Sequence, residues 1–207
     1  MSLFITFEGG EGSGKSIQTK LLQDFLISQK KNVILTREPG GTDLAEEIRK
    51  IVLIGDPEKL NSLTESLLYL AARSDHWFKK IKPALDMENI VISDRFHDSS
   101  IVYQGICKNF NSVILNQIFL EITKGKLPNR TYLLDLDPKI GISRSLSRED
   151  NNETRFEKMD IKFHEKVREG FLKLAENDRK RFFIIDGALP IDEIHDIIKK
   201  DILNLLI

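Results

Sequence analysis

Short runs of apolar, often β-branched residues alternate along the chain with longer stretches in which apolar residues recur every three to four positions. The short runs predict β-strands at 3–7, 32–36, 90–93, 132–136 and 182–185. The longer stretches predict helices near 16–29, 43–53, 61–80, 111–124, 138–147, 157–177 and 191–205. This alternation is typical of a parallel sheet covered by helices on both faces. The pattern therefore predicts a three-layer α/β fold with a five-stranded parallel sheet.

Composition adds only exclusions to this picture. No repeat or long linker divides the 207 residues, so we expect one domain over 1–207. A net charge of −1 does not indicate a nucleic-acid-binding surface. The single cysteine, Cys107, excludes an intramolecular disulfide, and the four histidines lack the spacing of a zinc site. Without a basic leader or an apolar run near 18 residues, we expect a cytoplasmic protein with no membrane partner.

Polar residues follow each predicted strand at its carboxyl end, where parallel sheets bind ligands. The first strand runs into a glycine-rich loop and the second into Arg37-Glu38-Pro39-Gly40-Gly41-Thr42. The later strands end in Asp94-Arg95, in Asp135 with Asp137, and in Asp186. Because these ends meet at one edge of a sheet, we expect a single ligand site there.

The glycine-rich loop, residues 9–16, reads Gly-Gly-Glu-Gly-Ser-Gly-Lys-Ser. Glycines let successive backbone N–H groups surround a polyphosphate, and the helix that follows points its positive dipole end at the anion. In such a loop Lys15 reaches the β- and γ-phosphates, and the Ser16 hydroxyl ligates Mg²⁺. An ordinary glycine-rich turn is the alternative, but the loop's place between strand and helix favours nucleotide binding.

Three charged residues at neighbouring strand ends extend this site. Asp94 follows Ile-Val-Ile-Ser, the pattern of an acid that holds Mg²⁺ directly or through water, although a helix N-cap is the alternative. Arg95 and Arg37 are placed to hold a second phosphate. Charge for two phosphorylated ligands favours a transferase over a nucleotide hydrolase.

Two further groups of polar residues are candidates for the site. The segment 143–155 contains three arginines and is predicted to be a lid that closes over the transferred phosphoryl group, with a solvated helix end as the alternative. Tyr69, Arg73, Tyr103 and Gln104 are candidates for an acceptor pocket. By periodicity alone, however, a residue such as Tyr69 is more often part of the core.

With these residues assembled, the chain resembles the bacterial thymidylate kinase family from Phe4 to about Ile198. The resemblance rests on five ordered motifs, which are 7–16, 36–42, Ala71-Ala72-Arg73, Asp94-Arg95-Phe96 and Tyr103-Gln104-Gly105. It implies an ATP- and Mg²⁺-dependent kinase that phosphorylates dTMP to dTDP. It also implies a homodimer, for which the stretches 66–70 and 113–119 are the candidate surfaces.

On the donor side, the resemblance implies a set of ATP-binding residues. They are Gly9, Gly10, Glu11, Gly12, Ser13, Gly14, Lys15, Ser16 and Arg144. Ser16 and Asp94 would hold the magnesium ion. In one branch of the family the phosphate loop carries a catalytic arginine, but Gly12 occupies that position here. The lid should therefore supply it, with Arg148 as first candidate and Arg155 as second, beside Lys15 and Arg95.

On the acceptor side, the resemblance implies one role for each candidate. Arg95 and Arg37 would bind the dTMP phosphate, and Glu11 would contact the 3′-hydroxyl of the sugar. The base would meet a stacking ring, a guanidinium and polar side chains from Tyr69, Arg73, Ser100 and Gln104. Tyr103 would crowd the 2′ position and reject ribonucleotides.

Three residues depart from the family pattern near the base. Tyr69 replaces a phenylalanine, and Leu70 and Val102 replace residues that are commonly tyrosine and alanine. A kinase for another nucleoside monophosphate therefore stays open as an alternative, as does a catalytically silent nucleotide-binding protein. A GTPase-type switch would need an Asn-Lys-x-Asp stretch, which the chain lacks.

Overall fold

The computed structural model describes residues 2–147 and 154–206. Within these residues five strands form one parallel sheet in the order β2-β3-β1-β4-β5. The strands are β1 Leu3–Glu8, β2 Val33–Arg37, β3 Ile90–Asp94, β4 Arg130–Asp135 and β5 Phe182–Asp186. The predicted parallel α/β fold is confirmed.

Most helices lie close to the predicted segments, but two short helices, at 82–86 and 97–100, were not predicted. The helices are α1 Lys15–Ser28, α2 Asp43–Leu53, α3 Ser62–His76, α4 Lys82–Asp86, α5 His97–Ser100, α6 Ser112–Thr123, α7 Pro138–Leu146, α8 Ile161–Asn177 and α9 Ile191–Leu205. A short 3₁₀ turn covers Pro57–Lys59. None of the helices in these two described ranges has both the length and the apolar character needed to cross a membrane.

The predicted helix at 61–80 differs from the structure. A π-helical segment, Trp77–Ile81, follows α3 and leads into α4. There the Lys82 N–H donates to the Trp77 carbonyl, one residue further back than in an α-helix. Pro83 has no N–H to continue a regular ladder. A second π-helical segment, Ile101–Cys107, follows α5. The sequence pattern did not predict either of the two π-helical segments.

Apolar side chains on the two faces of the sheet build separate cores. Leu3, Ile5 and Phe7 of β1 pack on one face with residues of α1 and α9. Phe4 points to the opposite face and joins a core that includes Trp77 and residues of α6. Every residue of β1 is buried. A strand buried on both faces reads as a continuous apolar run, which explains the sequence pattern.

The strand register brings the polar strand ends together. Phe7 of β1 lies opposite Asp94 of β3, and Asp94 lies opposite Arg37 of β2. Because β1 is the central strand, the glycine-rich loop leaves the sheet in the middle of its carboxyl edge. The ligand-binding edge of the sheet is therefore centred on this loop.

Candidate functional site

A large cleft lies at the carboxyl edge of the sheet, with an empty volume of about 1060 Å³ counted to its open mouth. Most of the site residues predicted from the sequence line it. They are Glu11, Gly12, Ser13, Gly14, Lys15, Ser16, Arg37, Tyr69, Arg73, Asp94, Arg95, Ser100, Tyr103 and Gln104. The cleft thus joins the glycine-rich loop to the ends of β2 and β3, to α3 and to the segment 101–107.

The remaining predicted residues lie elsewhere. Gly9 and Gly10 line a smaller cavity on the other side of the loop. Arg144 donates a hydrogen bond to the Gly187 carbonyl at 3.1 Å, and Arg155 is buried away from the cleft. Arg148 lies outside the described residues.

The glycine-rich loop folds around the Lys15 ammonium group. Its Nζ donates to the carbonyls of Gly9 at 3.1 Å and Gly10 at 2.7 Å, and to Ser13 Oγ at 3.2 Å. Gly14 adopts a φ of 95°, which lets the loop turn into α1 at Lys15. The ammonium group is thus held inside the loop, at the N-terminal end of a helix.

Burial, together with the neighbouring charge of Arg95, lowers the pKa of Lys15 to about 8. Asp94, Glu11 and Glu8 oppose this shift by favouring the charged form. An anion placed in the loop would act in the same direction as these carboxylates. The site therefore holds a cation whose charge a phosphate would stabilise.

Gly12 brings the loop into direct contact with α7. Its φ is +67°, and a Cβ added there would overlap the carbonyl oxygen of Gly141. A side chain at this position would collide with the backbone of α7. In this arrangement of the loop and α7, position 12 therefore has no room for an arginine.

Ser16 and Asp94 form the oxygen-rich corner of the cleft. The Ser16 hydroxyl donates to Asp94 Oδ2 at 2.6 Å. Asp94 is also at the end of β3, one residue before Arg95. A hydroxyl and a carboxylate at this distance fit a magnesium ion, which takes one or two protein oxygens and completes its shell with phosphates and water.

Arg95 sits at the centre of the cleft in a left-handed backbone conformation, with a φ of 70°. Its guanidinium donates to Gly9 O at 2.9 Å, Ser99 Oγ at 3.1 Å, Tyr103 Oη at 3.2 Å and Glu11 Oε1 at 3.3 Å. Burial alone would lower the pKa of Arg95, but electrostatic interactions with Tyr103, Glu11, Glu8 and Asp94 raise it. Arg95 is a fixed, permanently charged group.

Glu11 is the carboxylate that faces Arg95. It accepts a hydrogen bond from Tyr103 Oη at 2.6 Å, and His164 Nδ1 lies 3.3 Å from its second oxygen. Burial raises the pKa of Glu11, but the His164 contact and the charges of Arg95 and Lys15 outweigh it and hold the pKa at about 2. Glu11 is therefore ionised at neutral pH.

The far end of the cleft is built around Arg73, which is almost fully buried. Its Nε donates to Glu38 Oε2 at 2.8 Å, and its two terminal nitrogens donate to Ser100 Oγ at 2.9 Å and to the Phe96 carbonyl at 3.0 Å. The His76 ring donates from Nδ1 to Glu38 Oε1 at 3.0 Å. Arg73 is thus fixed by a network that leaves it little freedom.

Gln104, Tyr69 and Arg37 complete the cleft wall. Gln104 donates from Nε2 to Glu65 Oε1 at 2.9 Å. Burial, together with the charge of Glu65, raises the pKa of Tyr69, so its hydroxyl stays protonated. Arg37 is half-exposed and pairs with Glu46 at 2.8 Å. The three side chains differ in exposure, from the buried Gln104 to the half-exposed Arg37.

Several cleft residues escaped the sequence reasoning, among them Glu38, Arg49, Phe96, Ser99, Phe156 and Glu157. Glu38 and Phe96 lie inside motifs that the sequence analysis singled out, so their position was an available signal. Arg49 and Glu157 sit on a helix and near a helix start, where a charged residue usually indicates only a solvated surface. Nothing in the local pattern distinguishes them.

The sequence of the chain is similar to those of known proteins. A profile described as Thymidylate kinase matches residues 7–198. The chain is 46% identical over 198 residues to Thymidylate kinase from Sulfurihydrogenibium sp. (strain YO3AOP1), covering 96% of this chain and 95% of that protein. It is 44% identical over 192 residues to Thymidylate kinase from Ruegeria pomeroyi, covering 93% of this chain and 90% of that protein.

A solved structure gives the same result at the level of the fold. The crystal structure of thymidylate kinase from Ehrlichia chaffeensis superposes with a TM-score of 0.78 at 34% sequence identity. The match covers 97% of this chain and 98% of that chain. Similarity therefore extends over both the whole sequence and the whole fold.

Proposed function

The chain belongs to the thymidylate kinase family and transfers a phosphoryl group from ATP to dTMP, and we propose that the cleft carries out this reaction with the residues described above. One observation carries the assignment of roles. The cleft joins an anion-binding loop with Lys15 at one end to the buried Arg73 and Gln104 at the other, and Arg95 lies between them. That order matches a donor phosphate, an acceptor phosphate and a base.

At the donor end, the loop N–H groups and Lys15 bind the β- and γ-phosphates of ATP. The carbonyl contacts of Lys15 in the empty loop are neutral, so a charged phosphate oxygen competes well for the ammonium group. Ser16 and Asp94 would hold the magnesium ion of the nucleotide, which would neutralise charge on the phosphates.

At the acceptor end, Arg95 and Arg37 hold the dTMP phosphate in line with the γ-phosphate. An oxygen of that phosphate attacks the γ-phosphorus, the bond to the leaving oxygen breaks, and ADP departs. Because the attacking phosphate is already an anion, no general base is needed. Positioning and neutralisation of charge account for most of the rate enhancement.

The sugar and base lie deeper in the cleft. Glu11, ionised and fixed by Tyr103, accepts a hydrogen bond from the 3′-hydroxyl. Tyr103 occupies the space beside the 2′ position. Tyr69 stacks on the base, and Arg73, with Ser100, reaches its edge. Gln104 contacts the base from the opposite wall.

The whole chain acts as one catalytic unit in this proposal, with 143–155 as the lid. Arg148 supplies the lid arginine at the transferred phosphoryl group. Arg155 is assigned a structural role instead, because its guanidinium donates to the carbonyls of Val52, Asp56 and Pro57. A catalytic role for Arg155 would require all three bonds to break.

An exposed apolar face supports the homodimer. Leu67 of α3 and Val113 and Leu120 of α6 are each at least half exposed, and α3 packs against α6. Burying such a patch against a second copy removes apolar surface from water. We assign this face to the dimer interface and expect Leu67→Glu to yield monomers in sedimentation. ATP and dTMP as substrates are consistent with a cytoplasmic location.

Release of ADP tests the function directly. Purified protein is supplied with ATP and Mg²⁺ and one acceptor at a time, chosen from dTMP, dUMP, UMP, dCMP, dGMP, AMP and thymidine. We expect strong turnover with dTMP and weak turnover with dUMP. Turnover with a different monophosphate would keep the mechanism and change the base assignment. No turnover with any acceptor would contradict the kinase assignment.

A further inference from the structure

Glu65 is a charged residue buried completely beside the base end of the cleft, and no step of the reaction above uses it. It lies on α3, and its side chain has no exposed surface. A buried carboxylate is costly unless it is paired and hydrogen-bonded. Its partners therefore indicate what this carboxylate is for.

Two cations and one amide surround the Glu65 carboxylate. Lys108 Nζ lies 2.6 Å and Arg155 Nη1 2.5 Å from Oε2, while Gln104 Nε2 donates to Oε1 at 2.9 Å. The charged groups of Lys108 and Arg155 each lie 5.3 Å from the centre of the Phe156 ring, which also lines the cleft. The carboxylate is thus anchored on both oxygens.

The anchoring of Arg155 makes the arrangement rigid. This side chain is 1% exposed, and it donates to three backbone carbonyls besides its ion pair with Glu65. Moving Glu65 would leave the buried Arg155 charge uncompensated. The carboxylate therefore holds one position whether or not a ligand is bound.

A carboxylate paired with cations only accepts hydrogen bonds, which decides the orientation of the Gln104 amide. The NH₂ group must face Glu65, so the carbonyl oxygen is the amide atom that Gln104 presents to the cleft. A carbonyl oxygen accepts a hydrogen bond from a ring N–H, as at N3 of thymine or uracil. It meets only an acceptor at N3 of cytosine.

We propose that Glu65 is a positioning residue that, held by Arg155 and Lys108, fixes the Gln104 amide with its oxygen toward the base and so makes the cleft select bases with a ring N–H donor. This inference rests on the proposed function, in which Gln104 contacts the base. It assigns a role to a carboxylate that never touches the substrate.

The test compares kcat/KM for dTMP with kcat/KM for 3-deazathymidine monophosphate, whose aromatic tautomer carries a C–H group in place of N3–H and a hydroxyl in place of the 4-carbonyl. Because the change at position 4 is the same for every variant, a difference between variants in the preference for dTMP reports the contact at N3. For the unaltered enzyme we expect dTMP to be preferred by about 10- to 100-fold, because the analogue leaves the buried carbonyl without a donor. In Glu65→Gln the new amide at position 65 presents either its carbonyl or its NH₂ group to Gln104. The Gln104 amide is then free to adopt the opposite orientation.

For Glu65→Gln we expect the preference for dTMP over the analogue to fall at least about fivefold, and use of dCMP relative to dTMP to rise. A purely structural role would lower kcat/KM for all three acceptors in parallel and leave their ratios unchanged. That parallel loss would overturn the proposal. Glu176→Gln is the matched control, because it makes the same change at an exposed carboxylate outside the cleft, and its ratios should stay within about twofold of the parent.

Two further variants make the result decisive. Glu65→Gln combined with Lys108→Met removes one cation with the carboxylate, and this double variant answers the question if the single variant does not fold in a thermal melt. Gln104→Met tests the base contact itself. Unchanged ratios in Gln104→Met would contradict the proposed role of Gln104, whereas a loss there with unchanged ratios in the Glu65 variants would contradict only the positioning role.

Discussion

The two ends of the cleft hold their cationic and polar side chains in different ways. At the phosphate end, Lys15 donates to the neutral carbonyls of the loop. At the base end, Arg73 and Gln104 donate to the buried carboxylates of Glu38 and Glu65. A charged phosphate displaces a neutral acceptor readily, but a neutral base does not displace a carboxylate. The phosphate end therefore exchanges partners on binding, while the base end keeps its partners and offers a fixed shape.

The largest expected effect is at Arg95, which lies where the two ends meet. Arg95→Ala should reduce kcat/KM for dTMP by about 10³-fold, because a buried phosphate loses its charged partner. This fold-change corresponds to several kcal/mol of lost transition-state stabilisation. ADP release at several dTMP concentrations measures this loss. Arg179→Ala, at an exposed arginine outside the cleft, is the control. Near-normal turnover of Arg95→Ala would remove Arg95 from the acceptor site.

Arg155 should affect stability rather than chemistry. Arg155→Met leaves Glu65 with a buried charge short of one cation and three carbonyls without their donor, so we expect the free energy of unfolding to fall by about 3–5 kcal/mol. Urea denaturation provides the measurement, and Arg179→Met should change it by less than about 0.5 kcal/mol. If Arg155→Met lost kcat at unchanged stability, Arg155 would belong to the catalytic groups.

Arg148 should show the opposite behaviour. Arg148→Ala should lower kcat by about 10²- to 10³-fold and change KM for dTMP little, since a lid arginine acts mainly on the charge of the transition state. Steady-state kinetics separate the two constants, and Lys158→Ala serves as a nearby control. A rise of the same size in KM for dTMP, with no loss in kcat, would instead assign Arg148 to substrate binding.

The Lys15 charge gives the phosphate end a pH dependence. With a pKa lowered to about 8 by burial, Lys15 is charged below that pH and neutral above it. The affinity of the enzyme for ATP should fall by up to about tenfold per pH unit above 8. Calorimetric titration between pH 6.5 and 9.5 measures this fall. Lys15→Arg should bind ATP without that decline, and a flat profile in the parent enzyme would contradict the assignment.

The smallest effect is expected at Arg37. Its guanidinium is half-exposed and pairs with Glu46 at the surface, where water and salt screen the charge. Arg37→Ala should raise KM for dTMP by less than about tenfold, and the difference should shrink as salt is added. A loss as large as that of Arg95→Ala would show that the cleft closes around Arg37 when dTMP binds.

The sequence predicted β1, β3 and β4 well because the burial of most of their residues leaves a continuous apolar run, whereas the edge strands β2 and β5 are only partly buried. Helix α9 begins and ends at the predicted residues, 191 and 205. The two π-helical segments were missed, since segments of 5 and 7 residues are too short to establish an apolar periodicity of their own. Gln104 stands in one of them, so its position in the cleft depends on an irregularity that the pattern does not reveal.

The residues of the candidate site also divide into those that the sequence predicted and those that only the fold identified. The motifs alone predicted a phosphate loop, an acid and two arginines at strand ends, because backbone-bound anions and magnesium require particular residue types at short spacings. Spacing did not separate Arg148 from Arg155, which share one polar segment. Only the fold buries Arg155 against the carbonyls of residues 52–57.

The sequence by itself determined the fold class, the phosphate loop and the kinase family, since each depends on periodicity or on residues close together in the chain. Tertiary structure alone decided the network of Glu65, Gln104, Lys108 and Arg155. In it, Gln104 and Lys108 reach Glu65 across 39 and 43 positions of the chain. The physical reason is burial. A carboxylate on a helix reads as a solvated residue until packing removes the water and leaves its partners to fix it.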